Sequence, residues 1–185
     1  MSNGKLFVIS GASGVGKSTV LKRVMSERED LLFSVSATTR EPRAGEVDGV
    51  NYHFITRPQF EEMIRKGEFL EYDEHHNTLY GTPAAEVLKK QETGHVVLDV
   101  EPNGAFNVRK ARPDATLIFI MPPSWEALEA RLRGRGDTDP KQVEIRLDRA
   151  KWEMDQSCFY DYVVINDQLD VCVEEILKII ADKAD

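Results

Sequence analysis

The sequence predicts an α/β fold in which helices flank a parallel sheet. Short, uninterrupted apolar runs alternate along its 185 residues with segments whose apolar positions are three and four apart. Uninterrupted apolar runs are typical of strands buried on both faces, whereas the three-and-four spacing is typical of amphipathic helices. A glycine-rich segment joins the first apolar run to the first helical pattern. Together these observations favour strands that alternate with helices, the order that builds a parallel sheet covered on both faces.

The expected core elements follow one another in a simple order. The apolar runs that we predict to be strands are residues 6–9, 96–98, 116–120 and 162–165. The helix after the first strand is marked by Val20, Leu21, Val24 and Met25, and a C-terminal helix by Val173, Ile176, Leu177 and Ile180. Four buried strands and their helices are enough for one α/β core.

A first insertion interrupts this alternation at about residues 37–90, which are rich in Tyr and Glu. Within it, Thr56-x-x-Gln59 has the form of a capping box and predicts the start of a helix. Thr82-Pro83 predicts another helix, with Pro83 at its first position.

A second insertion is expected at about residues 124–155, where two helical patterns occur. Asp139-Pro140 predicts the start of the second of these helices. The length predicts a single domain, and no linker divides it. The core segments that remain are about residues 1–36, 91–123 and 156–185.

The composition excludes several classes of function. Lys and Arg number 24 against 32 Asp and Glu, which gives a net charge of −8 and predicts neither a nucleic-acid binder nor a membrane binder. The apolar runs are too short for a membrane span, and the first one is too short for a signal peptide. The two cysteines, Cys158 and Cys172, match no metal or redox spacing. We therefore expect a cytoplasmic protein.

The glycine-rich segment Gly11-Ala-Ser-Gly-Val-Gly-Lys17-Ser18 matches the phosphate-binding loop pattern G-x-x-x-x-G-K-[S/T]. It lies between a predicted strand and a predicted helix, which is the context that distinguishes the motif from a chance glycine turn. Its backbone N–H groups and Lys17 are suited to the phosphates of a nucleoside triphosphate, and the Ser18 hydroxyl to Mg²⁺. The residues expected to bind this nucleotide, which the family resemblance given below implies to be ATP, are Gly11, Ala12, Ser13, Gly14, Val15, Gly16, Lys17, Ser18 and Thr19.

A second group of residues is suited to another phosphate. Arg40 and Arg43 lie close to Tyr52 in an otherwise acidic chain, and a guanidinium forms paired hydrogen bonds with phosphate. Tyr80 and a nearby hydroxyl follow, and apolar flanks surround Glu71. By itself Glu71 is more typical of a solvated strand residue than of a binding site.

These motifs resemble those of guanylate kinases. Thr38-Thr39-Arg40, Arg43, Glu46, Gly49 and Tyr52-x-Phe54 fit the family's acceptor signature in register, and further family motifs follow in order over nearly the whole chain. The resemblance implies a P-loop kinase core with a nucleoside-monophosphate-binding insertion at about 37–90 and a lid at about 124–155. It implies the reaction ATP + GMP ⇌ ADP + GDP with Mg²⁺ as cofactor.

The resemblance also implies a role for individual residues. The residues implied to bind GMP are Arg40, Arg43, Tyr52 and Tyr80 at its phosphate, and Ser36, Glu71 and Thr82 at its guanine. Asp99 ends a predicted strand and is implied either to contact GMP or to reach the metal through water. Asn166 is implied to lie near the adenine of ATP. The residues implied to be catalytic are Lys17, Arg40 and three arginines of the lid, Arg131, Arg135 and Arg146.

Two alternatives stay open at this point. One is a P-loop kinase that acts on another phosphorylated acceptor, such as a ribose phosphate. The other is a guanylate-kinase-like binding module without activity. The Thr-Thr-Arg run and Glu71 speak against the first, and the retained Lys17 and Ser18 against the second. The sequence leaves open whether the protein is a monomer or a homo-oligomer.

Overall fold

The computed structural model describes residues 4–75, 77–134 and 139–184. The strands are β1 Leu6–Gly11, β2 Leu31–Phe33, β3 Ala37–Thr38, β4 His53–Phe54, β5 Phe69–His75, β6 Thr78–Pro83, β7 His95–Asp99, β8 Thr116–Met121 and β9 Tyr162–Ile165. The helices are α1 Lys17–Glu27, α2 Arg57–Lys66, α3 Ala84–Gln91, α4 Pro102–Ala111, α5 Trp125–Arg133, α6 Pro140–Asp155 and α7 Leu169–Ala184, with a short 3₁₀ helix at Gln156–Phe159. Within the described residues, no helix combines the length and the apolar character that crossing a membrane requires.

The chain forms two compact units, each described by itself. The first contains the residues up to Leu6 together with Asp30–Ala115, and the second contains Phe7–Glu29 together with the residues from Thr116 onward. The fold class is α/β, with parallel strands and flanking helices, as the alternation of patterns predicts.

The second unit is built on three parallel strands. β1 pairs with β8 through Phe7 and Thr116, and β8 pairs with β9 through Ile118 and Tyr162. Every residue of β1 is buried, which explains the uninterrupted apolar run at its first four residues, 6–9. Helices α1 and α7 pack against each other in this unit. Most of the apolar positions that mark the two helices are buried, whereas Met25 and Leu177 are only partly buried.

The first unit contains the parallel pair β2 and β7 and a separate four-stranded sheet. The strand order of that sheet is β4-β3-β6-β5, in which β5 and β6 form an antiparallel hairpin. Its small core consists of Ala37, Phe60 and Leu79, and the ring of Phe69 stacks on that of Phe60 at 4.3 Å. The sheet therefore has an apolar support of its own.

Two of the three predicted helix starts are confirmed. Thr56 and Gln59 form the reciprocal bonds of a capping box at the start of α2. The side chain of Asp139 accepts a hydrogen bond from the backbone of Lys141 at the start of α6. The prediction that Pro83 opens a helix is wrong by one residue. Pro83 is the last residue of β6 and α3 begins at Ala84, because Pro83 keeps an extended ψ of 119°.

Candidate functional site

The glycine-rich loop leaves β1 at Gly11 and enters α1 at Lys17. Gly14 and Gly16 have φ values of 87° and 95°, a left-handed backbone conformation that favours glycine. Between them, the Val15 N–H donates to the Ala12 carbonyl at 3.0 Å and closes a tight turn. The N-terminus of α1 follows immediately, and the dipole of a helix favours an anion at that end.

The carbonyl of Val15 is held by two side chains from outside the loop. The Asn166 amide donates to it at 2.8 Å, and one terminal nitrogen of Arg131 donates at 3.3 Å. The other terminal nitrogen of Arg131 donates to the Asn166 carbonyl at 3.1 Å. The three residues therefore form one network. Asn166, implied to lie near adenine, here contacts the loop itself.

Ser13 is also anchored, in this case by α6. Its backbone N–H donates to the Glu153 carboxylate at 2.7 Å, and its hydroxyl lies 3.3 Å from the Arg146 Nε. The Glu153 carboxylate accepts a second hydrogen bond from Arg149 at 3.0 Å. The loop is thus supported on both sides of Gly14.

A cavity of about 400 Å³ opens beside the loop. It is lined by Gly14, Val15, Gly16, Thr19, Arg131, Asn166, Asp167 and Leu169. This volume lies within the range of small-molecule sites. Lys17 and Ser18 stand in the first turn of the neighbouring helix α1, with Ser18 exposed. The described part of the second unit therefore combines an anion-binding helix start with space for a ligand.

Arg40 is the centre of a second cluster, in the first unit. Its two terminal nitrogens donate to the two oxygens of Glu46 at 2.8 and 2.9 Å, and one of them also donates to the Glu41 carbonyl. The hydrogen bonds from Arg40 and from the Arg43 backbone lower the pKa of Glu46 to about 2. The hydrogen bonds and the charge of Glu46 raise the pKa of Arg40, and Tyr80 acts in the same direction. The guanidinium is charged and fixed in direction.

Aromatic rings surround the same guanidinium. Its central carbon lies 5.3 Å from the Tyr52 ring centre and 5.6 Å from the Phe54 ring centre. The Tyr52 and Tyr80 rings meet edge to face at 6.0 Å. The structure therefore brings together Arg40, Tyr52 and Tyr80, whose phenol and guanidinium groups suit a phosphate dianion.

Glu71 lies on β5 opposite Thr82 of β6 and is 7% exposed. The Thr82 hydroxyl donates to its Oε1 at 2.7 Å. Burial raises the pKa of Glu71 to about 7, and the charge of Asp73 acts in the same direction, while the hydrogen bond from Thr82 opposes both. On the other side, a Cβ added to Gly104 of α4 would lie 3.0 Å from the Oε2 of Glu71. The carboxylate is thus held between the hairpin and the first turn of α4.

The remaining residues that the sequence singles out are placed as follows. Ser36 is partly buried, and its carbonyl accepts the His53 N–H at 2.9 Å. Arg43 is exposed. Asp99 ends β7, where it is partly buried. Arg135 lies outside the described residues. Their roles stay predictions.

Glu153 and Gly104 contact residues of the two clusters and are not singled out by the sequence. Glu46 is named from the sequence only as a position of the acceptor signature, and the structure adds its paired hydrogen bonds with Arg40. One signal could have found Glu153, because it continues the buried positions Val143, Leu147 and Ala150 of α6 with a charged side chain. Such a charge on an apolar face requires specific partners.

The loop that begins at Gly11 makes this chain a P-loop nucleotide-binding protein, because strand, curled backbone, lysine and helix start stand in the order that phosphate binding requires. The family model described as guanylate kinase matches residues 3–183. The chain therefore belongs to the guanylate kinase family.

Known proteins of this family are similar along almost the whole chain. A guanylate kinase of Thermus thermophilus is 48% identical over 178 residues, which are 96% of this chain and 80% of that protein. The guanylate kinase of Clostridioides difficile is 43% identical over 99% of this chain and 90% of its own length. The crystal structure of guanylate kinase from Anaplasma phagocytophilum has a TM-score of 0.80 at 30% identity, over 99% of this chain and 87% of that chain.

Proposed function

We propose that this protein transfers the γ-phosphoryl group of ATP to GMP, giving ADP and GDP. Membership of the guanylate kinase family supports this reaction. The observation that carries the choice of GMP is the buried pair of Glu71 and Thr82. Guanine presents its N1–H and its exocyclic amine side by side, and a carboxylate accepts from both. Adenine lacks this donor pair, so it would leave a buried carboxylate unmatched.

ATP binds in this proposal at the loop from Gly11 to Thr19. The N–H groups of the loop and Lys17 hold the β- and γ-phosphates, and the cavity beside Asn166 takes the nucleoside part. Arg131 and Arg146 already contact the loop, at Val15 and Ser13, so a small change in side-chain direction brings their charge to the phosphates. Arg135 is proposed to join them.

GMP binds at the cluster around Arg40. Arg40, Arg43, Tyr52 and Tyr80 hold its phosphate, and the edge-to-face tyrosines fix the direction of both phenols. Ser36, Glu71 and Thr82 read the guanine. Asp99, at the carboxyl end of β7, lies where ligands of α/β proteins bind, and it serves either GMP or a metal-bound water.

Mg²⁺ is proposed to arrive with ATP. Within residues 4–75, 77–134 and 139–184, no three His, Cys, Asp or Glu side chains form a metal cluster. Proteins commonly hold Mg²⁺ through one or two oxygen ligands together with substrate phosphates. The exposed Ser18 hydroxyl at the start of α1 is such a ligand. The ion supplies neutralisation of phosphate charge.

The transfer itself needs no covalent intermediate on the protein. A phosphate oxygen of GMP forms a bond to the γ-phosphorus of ATP in line with the bond that breaks, and the electron pair of the broken bond stays on ADP. The GMP phosphate is largely a dianion at neutral pH, since its second pKa is about 6, so no strong general base is required. The protein contributes by positioning both nucleotides and by balancing the charge that spreads over the transferred group.

A coupled assay of ADP release tests the proposal, with GMP, AMP, CMP and UMP as acceptors. We expect GMP to be preferred over AMP by at least about a hundredfold in kcat/KM. Glu71→Gln should lose most of this preference, whereas Glu68→Gln, an exposed control three residues away, should keep it. Faster turnover of AMP or of a ribose phosphate than of GMP would show that the acceptor is wrong.

The alternatives are less favoured by the same observations, since the family match and the Glu71–Thr82 pair point to a guanylate acceptor and the loop is complete. The boundaries of the GMP-binding insertion and the lid stay predictions. So do the cytoplasmic location and the lack of nucleic-acid and membrane partners.

A further inference from the structure

Glu153 is a charged residue on the buried face of α6. The buried residues of this helix are Val143, Leu147, Ala150 and Glu153, which follow one another at helical spacing. Glu153 is 3% exposed. A buried carboxylate is strongly unfavourable unless hydrogen-bond donors surround its oxygens. An apolar side chain at position 153 would avoid this desolvation cost. The presence of a carboxylate there therefore indicates a role that depends on its hydrogen bonds.

The contacts of Glu153 lead to the phosphate-binding loop. One oxygen accepts the Ser13 N–H at 2.7 Å, and the other accepts the Arg149 Nε at 3.0 Å. The distance to Ser13 is typical of a charge-assisted hydrogen bond, which is stronger than a neutral one. Arg146, on the same helix, lies 3.3 Å from the Ser13 hydroxyl. Helix α6 therefore holds Ser13 by its backbone and by its side chain.

Ser13 stands at the point where the curl of the loop begins. It directly precedes Gly14, whose φ of 87° begins the curl of the loop. A fixed start of the curl aligns the following N–H groups before any nucleotide binds. A loop without this hold would have to be ordered by the nucleotide, which lowers affinity because ordering flexible residues costs free energy.

We propose that Glu153 is a positioning residue of the phosphate-binding loop: it holds the Ser13 N–H and so prepares the loop for the phosphates of ATP and ADP. This inference rests on the proposed function only in that the loop binds adenine nucleotides. Glu153 is buried and its two oxygens accept hydrogen bonds from Ser13 and Arg149, so we expect its removal to act on nucleotide affinity through Ser13.

The test compares three substitutions with a matched control. Glu153→Met has a similar volume and no acceptor for the Ser13 N–H. Glu153→Gln keeps an acceptor at the same reach without the charge, and Glu153→Asp keeps the charge but is one methylene too short. Glu144→Met makes the first change at an exposed position of the same helix. Equilibrium dissociation constants for MgADP and for GMP are measured by calorimetry, and thermal unfolding is followed without nucleotide.

We expect Glu153→Met and Glu153→Asp to weaken MgADP binding by about tenfold, and Glu153→Gln by no more than about threefold, with GMP binding unchanged. Glu144→Met should bind both nucleotides like the wild type. A purely structural role would lower the unfolding temperature in Glu153→Asp and leave its affinity for MgADP unchanged, which would overturn the inference. If Glu153→Met does not fold, the dissociation constants of Glu153→Asp and Glu153→Gln for MgADP decide whether Glu153 positions the loop.

This outcome is separable from that of the proposed function. A wild-type protein that binds MgADP but does not phosphorylate GMP refutes the reaction and leaves the role of Glu153 open to the same binding test. A wild-type protein that phosphorylates GMP, with a Glu153→Asp variant that binds MgADP equally well, refutes the role of Glu153 alone.

Discussion

The affinity for GMP should fall by about tenfold between pH 8 and pH 6 because of one carboxyl group, Glu71. Burial raises its pKa to about 7, with Asp73 adding to the rise and Thr82 opposing it. The ionised group accepts from both guanine donors. The protonated group carries a donor of its own and meets a donor of the base, so it binds guanine poorly. A change of pH is therefore a reversible perturbation of a single contact.

The magnitude follows from the fraction of Glu71 that is ionised. If only the ionised form binds GMP and its pKa is about 7, the apparent dissociation constant is multiplied by about 1.1 at pH 8, about 2 at pH 7 and about 11 at pH 6. The same linkage requires a release of protons. At pH 7 about half of the molecules hold the Glu71 proton, so GMP should displace about 0.5 proton from this group.

Calorimetric titration with GMP alone measures both quantities, in two buffers of different ionisation enthalpy at each pH. The GMP phosphate also titrates, with a second pKa of about 6. Glu71→Gln corrects for this, because glutamine has the same shape and cannot ionise. The contribution of Glu71 is therefore the difference between the wild-type and the Glu71→Gln profiles. Parallel profiles and equal proton release in the two proteins would refute the claim that an ionised Glu71 receives the base.

Three further predictions concern single side chains. Glu71→Gln should be more stable than the wild type at pH 8, by up to about 3 kcal/mol, and the difference should vanish below pH 4.5. The raised pKa means that folding favours the protonated form of Glu71, and this contribution is lost as the pH rises from 4.5 through 7. Chemical unfolding at the two pH values measures it, and an equal difference at both would contradict it. Gly104→Ala should raise the KM for GMP several-fold and leave the KM for ATP unchanged, because the new Cβ would lie 3.0 Å from the Glu71 carboxylate. Asn103→Ala, in the same turn, is the control. An unchanged KM for GMP in Gly104→Ala would contradict the importance of this contact. Lys17→Ala should lower kcat by at least about a hundredfold with the circular dichroism spectrum preserved, whereas the exposed Lys22→Ala on the same helix should not; full activity of the first variant would exclude the role of Lys17.

The parts of the fold that could be predicted from sequence are those with a local signal. Strand β1 is buried throughout and reads as an apolar run, and the capping box of α2 lies within four consecutive residues. Helix α4 could not be predicted in the same way. Its buried residues include Pro102, Gly104 and Ala105, which are too small or too unfavourable in helices to mark an amphipathic pattern. Strand β2 has three residues and is too short for a pattern.

The residues of the candidate site also fall into those with a local sequence signal and those without one. The anion-binding residues, such as Lys17 and Arg40, stand in motifs that are continuous in sequence. Glu46, which holds Arg40, belongs to the same motif, but the group that holds Ser13 of the phosphate-binding loop does not. Glu153 lies 140 residues from Ser13, and its role depends on a contact that only the folded chain creates. The pKa of Glu71 is equally a property of packing, since burial is its main cause.

The two hydrogen bonds between Arg40 and Glu46 have a consequence for selectivity against inorganic phosphate. The Glu46 carboxylate balances the positive charge of Arg40, so the guanidinium attracts other small anions less strongly. A phosphate or sulfate ion should bind weakly to Arg40, because it competes with the Glu46 carboxylate that is already hydrogen-bonded there. A nucleotide that is also held at its base has the additional binding energy to displace or share that partner. Discrimination against the most abundant competitors thus begins before the base is read.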